Sequence, residues 1–339
     1  MPNELVGHFF GVGSLGEPNP AVPLDYVKKL KLPYAYSIPT RQEEDMIRQF
    51  AVLVEDFEQF GTFILDVDIH SYREMTGSDE PLMIDREHGQ SSYLMTDGFT
   101  YSFFKTQQTA PATMCYSIRD TSGKQHVTRN MFHFFHKLMI RIAKGQVEHF
   151  GRSCENLILC QDDPGLGHVF EAIKKEKVQG LTLDDIIRKT DDVYPDSVIP
   201  AYHYCDDWRQ LVLDGWYPLW DSRPKLVHID VIRYLPEIGQ EQAERMNLFM
   251  KQGGGLALGV LPNTDDSFSK PILETLQFNL SQSFRCLNDN GVDLDLLKRN
   301  TMVSTQCGLS GASPELSRKI HEESSKFKEI FLQTIESSS

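Results

Sequence analysis

His203, Cys205 and Cys307 are the residues of this 339-residue sequence whose types and spacing most directly suggest chemistry. The first two end the run Ile199-Pro200-Ala201-Tyr202-His203-Tyr204-Cys205, and the third lies in Thr305-Gln306-Cys307-Gly308-Leu309. Both runs read as short strands. Side chains two residues apart on a strand share a face, so His203 and Cys205 bring an imidazole and a thiol side by side. These donors suit a borderline-soft ion such as zinc, and a catalytic zinc site keeps one position open for substrate. The pair alone fits equally well a core histidine beside a buried small side chain. Cys307, at the end of another strand, makes a shared metal the better explanation.

The elements that must position these residues are legible as periodicity. Eight runs read as strands: 5–14, 62–69, 112–118, 156–162, 199–205, 225–232, 255–261 and 301–307. Residues 127–150 carry Phe132, Phe135, Leu138, Met139, Ile142 and Val147 at helical spacing. Further helices are expected near 41–57, 206–214, 239–252, 270–289 and 314–336. Repeated strand–helix alternation predicts an α/β fold, a single (β/α)8 TIM barrel spanning residues 1–339. The polar stretch 85–98 fits that alternation poorly. An insertion in the first third is therefore expected, a hairpin or lid within 62–110.

Functional side chains of such a barrel gather at the C-terminal ends of the strands. Ser14 follows the first strand, Asp162 and Asp163 end the fourth, and His203 and Cys205 end the fifth. Asp230 lies near the end of the sixth, and Cys307 closes the eighth. His228 shares a strand face with Asp230 and competes with it as a ligand. His133 and His136, an i, i+3 pair, lack carboxylate or cysteine partners, and packing explains their helix.

Composition narrows the class. A formal net charge of −14 argues against a nucleic-acid partner, which would favour basic stripes. No apolar run approaches the roughly 18 residues of a membrane span, and the N-terminus lacks a signal-peptide layout. Six cysteines in so long a chain predict reduced thiols and a cytoplasmic protein rather than a disulfide scaffold.

The constellation resembles the catalytic, C-terminal barrel of cobalamin-independent methionine synthase, within the uroporphyrinogen decarboxylase/methionine synthase-like superfamily. His203-x-Cys205 and Cys307-Gly308-Leu309 match that family's zinc motifs, and Val227-His228-Ile229-Asp230 stands where it has an acidic ligand, usually Glu. The resemblance thus implies zinc held by His203, Cys205, Asp230 and Cys307. Gly13-Ser14 is similar to the turn that holds the amino-acid end of homocysteine. Asp162-Asp163-Pro164 is similar to the Asp-Glu-Pro whose first carboxylate pairs with the substrate amine. Ser14 and Asp162 are accordingly expected to bind substrate, with no catalytic residue assigned beyond the metal ligands. The chain departs from the family in two places. Gly259-Val260-Leu261-Pro262 replaces a histidine after the seventh strand, and Thr40-Arg41 lies where a second amine-binding carboxylate is expected.

The implied activity is zinc-dependent methyl transfer to a small, homocysteine-like thiol. Zinc binding deprotonates a coordinating thiol, and the thiolate is the nucleophile. Two cysteinates, one carboxylate and a neutral histidine leave the zinc site with one net negative charge, which keeps a bound thiolate reactive. Single-barrel relatives take methyl groups from corrinoids, so a methylated corrinoid or corrinoid protein is the expected donor rather than folate. Two alternatives stand: a metal-binding barrel acting as an interaction protein, and a metal-free decarboxylase of the same superfamily.

Overall fold

The structure, a computed structural model, describes residues 1–176, 178–213 and 215–338. Seven strands form one sheet: β1 (Phe9–Phe10), β2 (Tyr101–Thr109), β3 (Cys154–Asp162), β4 (Ile199–His203), β5 (Leu226–Asp230), β6 (Gly255–Leu261) and β7 (Thr301–Thr305). Their spatial order is β1-β7-β6-β5-β4-β3-β2, and every pairing is parallel. Parallel neighbours need long crossovers. Here these include the helices Arg129–Phe150, Gln240–Lys251 and Ile272–Asp289.

The two ends of this order, β1 and β2, are joined by residues 33–37. Ala35 N–H donates to Lys105 O at 2.8 Å and Lys105 N–H to Pro33 O at 2.9 Å. On the other side Ser37 N–H donates to Gly13 O at 3.1 Å and Leu15 N–H to Ser37 O at 2.9 Å. The eighth barrel position is thus held by isolated parallel bridges, Tyr34 to Lys105 and Ser14 to Ser37, rather than by a regular strand. The sheet curls into a TIM-like barrel.

Strand parity separates two cores. Leu157 and Leu159, Tyr202, Val227 and Ile229, Leu256 and Leu258, and Val303 belong to the large cluster between sheet and helices. Ile158 and Cys160, Ala201, Leu226, Ala257, Met302, Phe10 and Phe103 form a small second cluster in the lumen. Continuing each lumen series toward the C-terminal strand ends reaches Asp162, His203, His228 and Lys105. The lumen therefore grades from apolar to polar, and the polar end is the mouth where such barrels carry their chemistry.

The structure corrects several expected elements. Residues 62–69 form no barrel strand: Asp68 caps the helix Ile69–Gly77 by accepting from His70 N and Ser71 N, and Asp66 holds Thr121. The run 112–118 is helical, Pro111–Ser117, with Pro111 at a first-turn position where its missing N–H costs nothing. The strand belonging to that crossover is β2, just upstream. No hairpin occupies 62–110; the segment holds two short helices, Ile69–Gly77 and Gln90–Thr96, before β2. The stretch 41–57 is mostly turns around Gln42–Glu44 and Arg48–Ala51, ended by positive φ at Asp56 and Glu58. Of 206–214, residue 214 lies outside the described residues, and the rest holds only the turn Trp208–Gln210, capped by Asp207.

The long helix Arg129–Phe150 carries the inserted segment on its outer side. Leu82 N–H donates to Arg141 O at 2.9 Å, and Arg141 Nε donates to Glu80 O at 2.8 Å. Gly145 makes this approach possible, because a Cβ there would overlap the Leu82 carbonyl. Helix propensity alone favours Gly145→Ala by about 1 kcal/mol. Overpacking costs about 1–3 kcal/mol and should outweigh it. Urea unfolding is expected to show a lower midpoint for Gly145→Ala; a raised midpoint would mean the insert does not bear on this helix.

Candidate metal centre

β4 ends at His203, and Cys205 follows two residues later with the same parity. Register places His203 opposite Asp162 of β3 and His228 of β5, so three adjacent strands deliver polar side chains to one level of the lumen. Cys307 arrives from the far end of the chain by a turn after β7. A register shift between Gly259 and Leu261 lets Gln306 N–H reach Leu261 O at 2.7 Å, re-aiming the chain as it leaves the sheet. Three bonds then fix the turn: Thr305 Oγ1 to Cys307 O at 2.7 Å, Asn263 Nδ2 to Gly308 O at 3.0 Å, and Leu309 N to Ser14 O at 2.8 Å.

The donor atoms of His203, Cys205 and Cys307 all lie within 4.8 Å of one another. Cys205 Sγ is 2.8 Å and Cys307 Sγ 3.7 Å from His203 Nε2. The other ring nitrogen, Nδ1, is 2.7 Å from His228 Nδ1, and His228 Nε2 is 2.9 Å from Thr305 O.

Proton positions follow from these contacts. A backbone carbonyl only accepts, so His228 Nε2 carries the hydrogen. Complete burial and the neighbouring His203 hold the His228 pKa well below its usual range, so the ring is neutral and its Nδ1 is an acceptor. His203 Nδ1–H must then donate to it. That leaves His203 Nε2 aimed at the two sulfurs, where it can present a lone pair to a metal. A carbonyl orienting a ligand histidine is the usual outer-shell arrangement of metal sites, here relayed through a second ring.

The thiols differ in kind. Burial opposes a charged His203, but the bond to Cys307 and its charge, with Asp162, raise its pKa overall. The Cys205 thiol bond, chiefly, and His203 push Cys307 below the usual thiol range, against its own burial. Its bond to Cys307, followed by burial, pushes Cys205 up. Without metal, the cluster therefore pairs one thiolate with one thiol and a shared imidazole proton. An ion with two positive charges can take the place of those protons, so the donor set fits zinc.

Asp230 stands at the edge of this cluster. Its Oδ1 accepts from Ile232 N and Arg233 N, both at 2.9 Å, and Trp208 Nε1 bonds its backbone carbonyl at 3.0 Å. Burial, with Cys307 nearby, raises its carboxyl to about 6. Its donor atoms fall outside the three-residue group, while both nitrogens of His228 are engaged. Between the two candidates for a fourth ligand, the carboxylate is the one with an oxygen to spare.

Asp162 lies on the lumen side and Asp163 on the helix side. Asp163 accepts from Thr113 Oγ1 at 2.6 Å and Tyr202 OH at 2.7 Å, a bonded position that ties β3 and β4 to the helix Pro111–Ser117. Asp162 is half-buried at the mouth; desolvation raises its pKa, while His203 and Lys105 pull it down. Ser14 packs beside the Cys307 turn: a Cβ on Gly308 would overlap the Ser14 hydroxyl where it now lies. Lys105, wholly buried in the lumen, carries little sign of that place in its sequence. Its one signal there is a lysine sharing strand parity with Phe103. His133 and His136 sit with ring centroids 6.2 Å apart, and His136 is pushed down to about 3, chiefly by burial.

Thiol chemistry tests this asymmetry directly. In chelator-treated protein, iodoacetamide should alkylate Cys307 ahead of Cys205 from pH 8 down to about 6, where an ordinary thiol has little thiolate left. Cys115 and Cys160, fully buried with raised pKa values, should stay unmodified. Peptide mapping that finds Cys205 and Cys307 reacting at equal rates across this range would contradict the assigned bonds.

No protein-family model and no curated protein matches the chain. Solved structures do match, among them a B12-independent methionine synthase from Shewanella sp. W3-18-1 in complex with selenomethionine. The likeness covers 73% of this chain and 67% of that one, at 15% identity and a TM-score of 0.50. At that identity the match establishes the fold alone, a TIM-like barrel.

Proposed function

We propose that this chain is a zinc-dependent methyltransferase that moves a methyl group onto the sulfur of a small, homocysteine-like thiol. The observation that carries this reading is the convergence of His203 Nε2, Cys205 Sγ and Cys307 Sγ at the barrel mouth, with the His203 tautomer set from behind. Asp230 is the proposed fourth ligand, through the oxygen its backbone bonds leave free. Bound there, zinc supplies a Lewis acid that takes up the substrate thiol as its nucleophilic thiolate.

The chain's own residues do the rest. Asp162 offers a half-buried carboxylate to the substrate amine, and the Ser14 hydroxyl, pressed against Gly308, marks where the amino-acid end would lie. The reaction forms a sulfur–carbon bond and breaks the methyl–donor bond, whose electron pair stays with the donor. A methylated corrinoid or corrinoid protein is the proposed donor, docking on the rim above Cys307. The neighbouring barrel's bound selenomethionine supports an amino acid with a methylated chalcogen as product. No helix among the described residues is long and apolar enough to cross a membrane. A single barrel unit over residues 1–339, in the cytoplasm, is the proposed context.

Elemental analysis of protein purified without chelator should find about one zinc per chain, as the proposed single mononuclear site implies. Cys205→Ser and Cys307→Ser should each lose most of it, together with methyl transfer from methylcobalamin to homocysteine. A Cys307→Ser protein that keeps its zinc would overturn the ligand assignment. Wild-type protein that binds zinc but no thiol would favour an interaction protein instead.

A further inference from the structure

Lys105 is a charged side chain in the barrel lumen that the proposed reaction does not use. It shares lumen parity with Phe103 and is fully buried. Its Nζ donates to Val12 O at 2.8 Å and Gln107 Oε1 at 3.0 Å, and lies 5.0 Å from the Phe10 ring centroid. Both acceptors are uncharged. Among the described residues no carboxylate lies within ion-pairing distance of it. A buried cation without a paired anion is costly, and a fold that keeps one has a use for its field. Geometry ties Lys105 to the mouth: the Phe10 ring that faces its Nζ stacks on His228, ring centroids 5.9 Å apart, and His228 in turn bonds His203.

We propose that Lys105 is the counter-charge of the metal centre, a positioning residue whose fixed positive charge draws the substrate in as a thiolate without touching it. This rests on the zinc reading above. The two binding steps change the charge of the site in opposite directions. Zinc brings two positive charges and releases one or two protons to solvent, so the site's charge rises or stays level. A thiol that binds and gives its proton to solvent lowers the charge by one. A neighbouring cation therefore leaves zinc affinity unchanged or weakens it, and strengthens thiolate uptake. A lysine that merely filled space would, on removal, harm both steps alike.

The experiment compares wild type with Lys105→Met, which keeps the length of the side chain and removes its charge. Zinc affinity is read by competition with a chromophoric chelator, and thiol affinity by calorimetric titration of the zinc-loaded protein with 2-mercaptoethanol, whose only ionisable group here is its thiol. Expected are zinc affinity equal to or tighter than wild type, and thiol affinity weaker by about tenfold or more. If Lys105→Met does not fold, Gln107→Glu carries the test by setting a carboxylate against the ammonium, with the same pattern expected. Gln107→Leu, which leaves the charge in place, should keep wild-type thiol affinity. Equal weakening of both steps, or unchanged thiol affinity in the charge-removing variants, would overturn the role of Lys105 alone. Wild-type protein that takes up no zinc would instead overturn the metal centre itself.

Discussion

The carbonyl of Thr305 can accept a hydrogen bond and never donate one, and the proton order of the whole barrel mouth depends on that. It sets the hydrogen on His228 Nε2, which makes His228 Nδ1 an acceptor, which in turn places the His203 hydrogen on Nδ1. The far side of His203 then faces two sulfurs. Burial reinforces the relay, because a charged His228 would be desolvated beside other polar groups. A structural bond in β7 thus decides which atom of β4 is chemically available.

The same lumen that holds this relay is graded in polarity. Its lower layers are Ile158, Ala201, Leu226, Ala257 and Met302, packed as an ordinary core. Above them every inward position on β2 to β5 is polar or charged. A thiolate, two carboxylates and two imidazoles gathered in so small a space would repel or neutralise one another without compensation. Hydrogen bonds from Ile232 and Arg233 serve Asp230, and the Lys105 ammonium supplies a nearby positive charge. Adjacent carboxylates of the Asp162-Asp163 pair are separated by the sheet itself, one facing the mouth and the other bonded to Thr113 and Tyr202. Strand parity alone gives two neighbouring aspartates opposite tasks.

Closure of the barrel and placement of Cys307 are one problem. The turn carrying Cys307 hangs between Ser14, beyond β1, and Asn263, beyond β6. Gly308 lets the Ser14 hydroxyl pack against the main chain, and Gly259 lets the chain leaving β7 at Gln306 pass close to β6. Residues 33–37 complete the ring with backbone bonds rather than with a full strand. A site drawn from β3, β4, β5 and the ends of β1 and β7 exists only once that ring is closed.

Much of this was determined by the sequence alone. The two-residue period of a strand puts His203 beside Cys205, and donor chemistry suits the pair to zinc, whatever surrounds them. Apolar runs near 156–162, 225–232 and 255–261 become strands because burial on both faces leaves them no other use. The helix over 129–150 follows from its apolar stripe. Local signals misled where capping and packing compete with strand propensity: Pro111 opened a helix through one β-rich run, and Asp68 capped a helix that begins where another ends. What only the tertiary structure decided is pairing at a distance. His228 backs His203 through its Nδ1, Asp163 ties the sheet to the helix layer, and Lys105 lies buried in the lumen beneath the mouth. Each of those outcomes depends on which side chains meet across strands from different parts of the chain. Spacing along a chain determines which face a residue occupies, and only the closed barrel determines what waits on the other side.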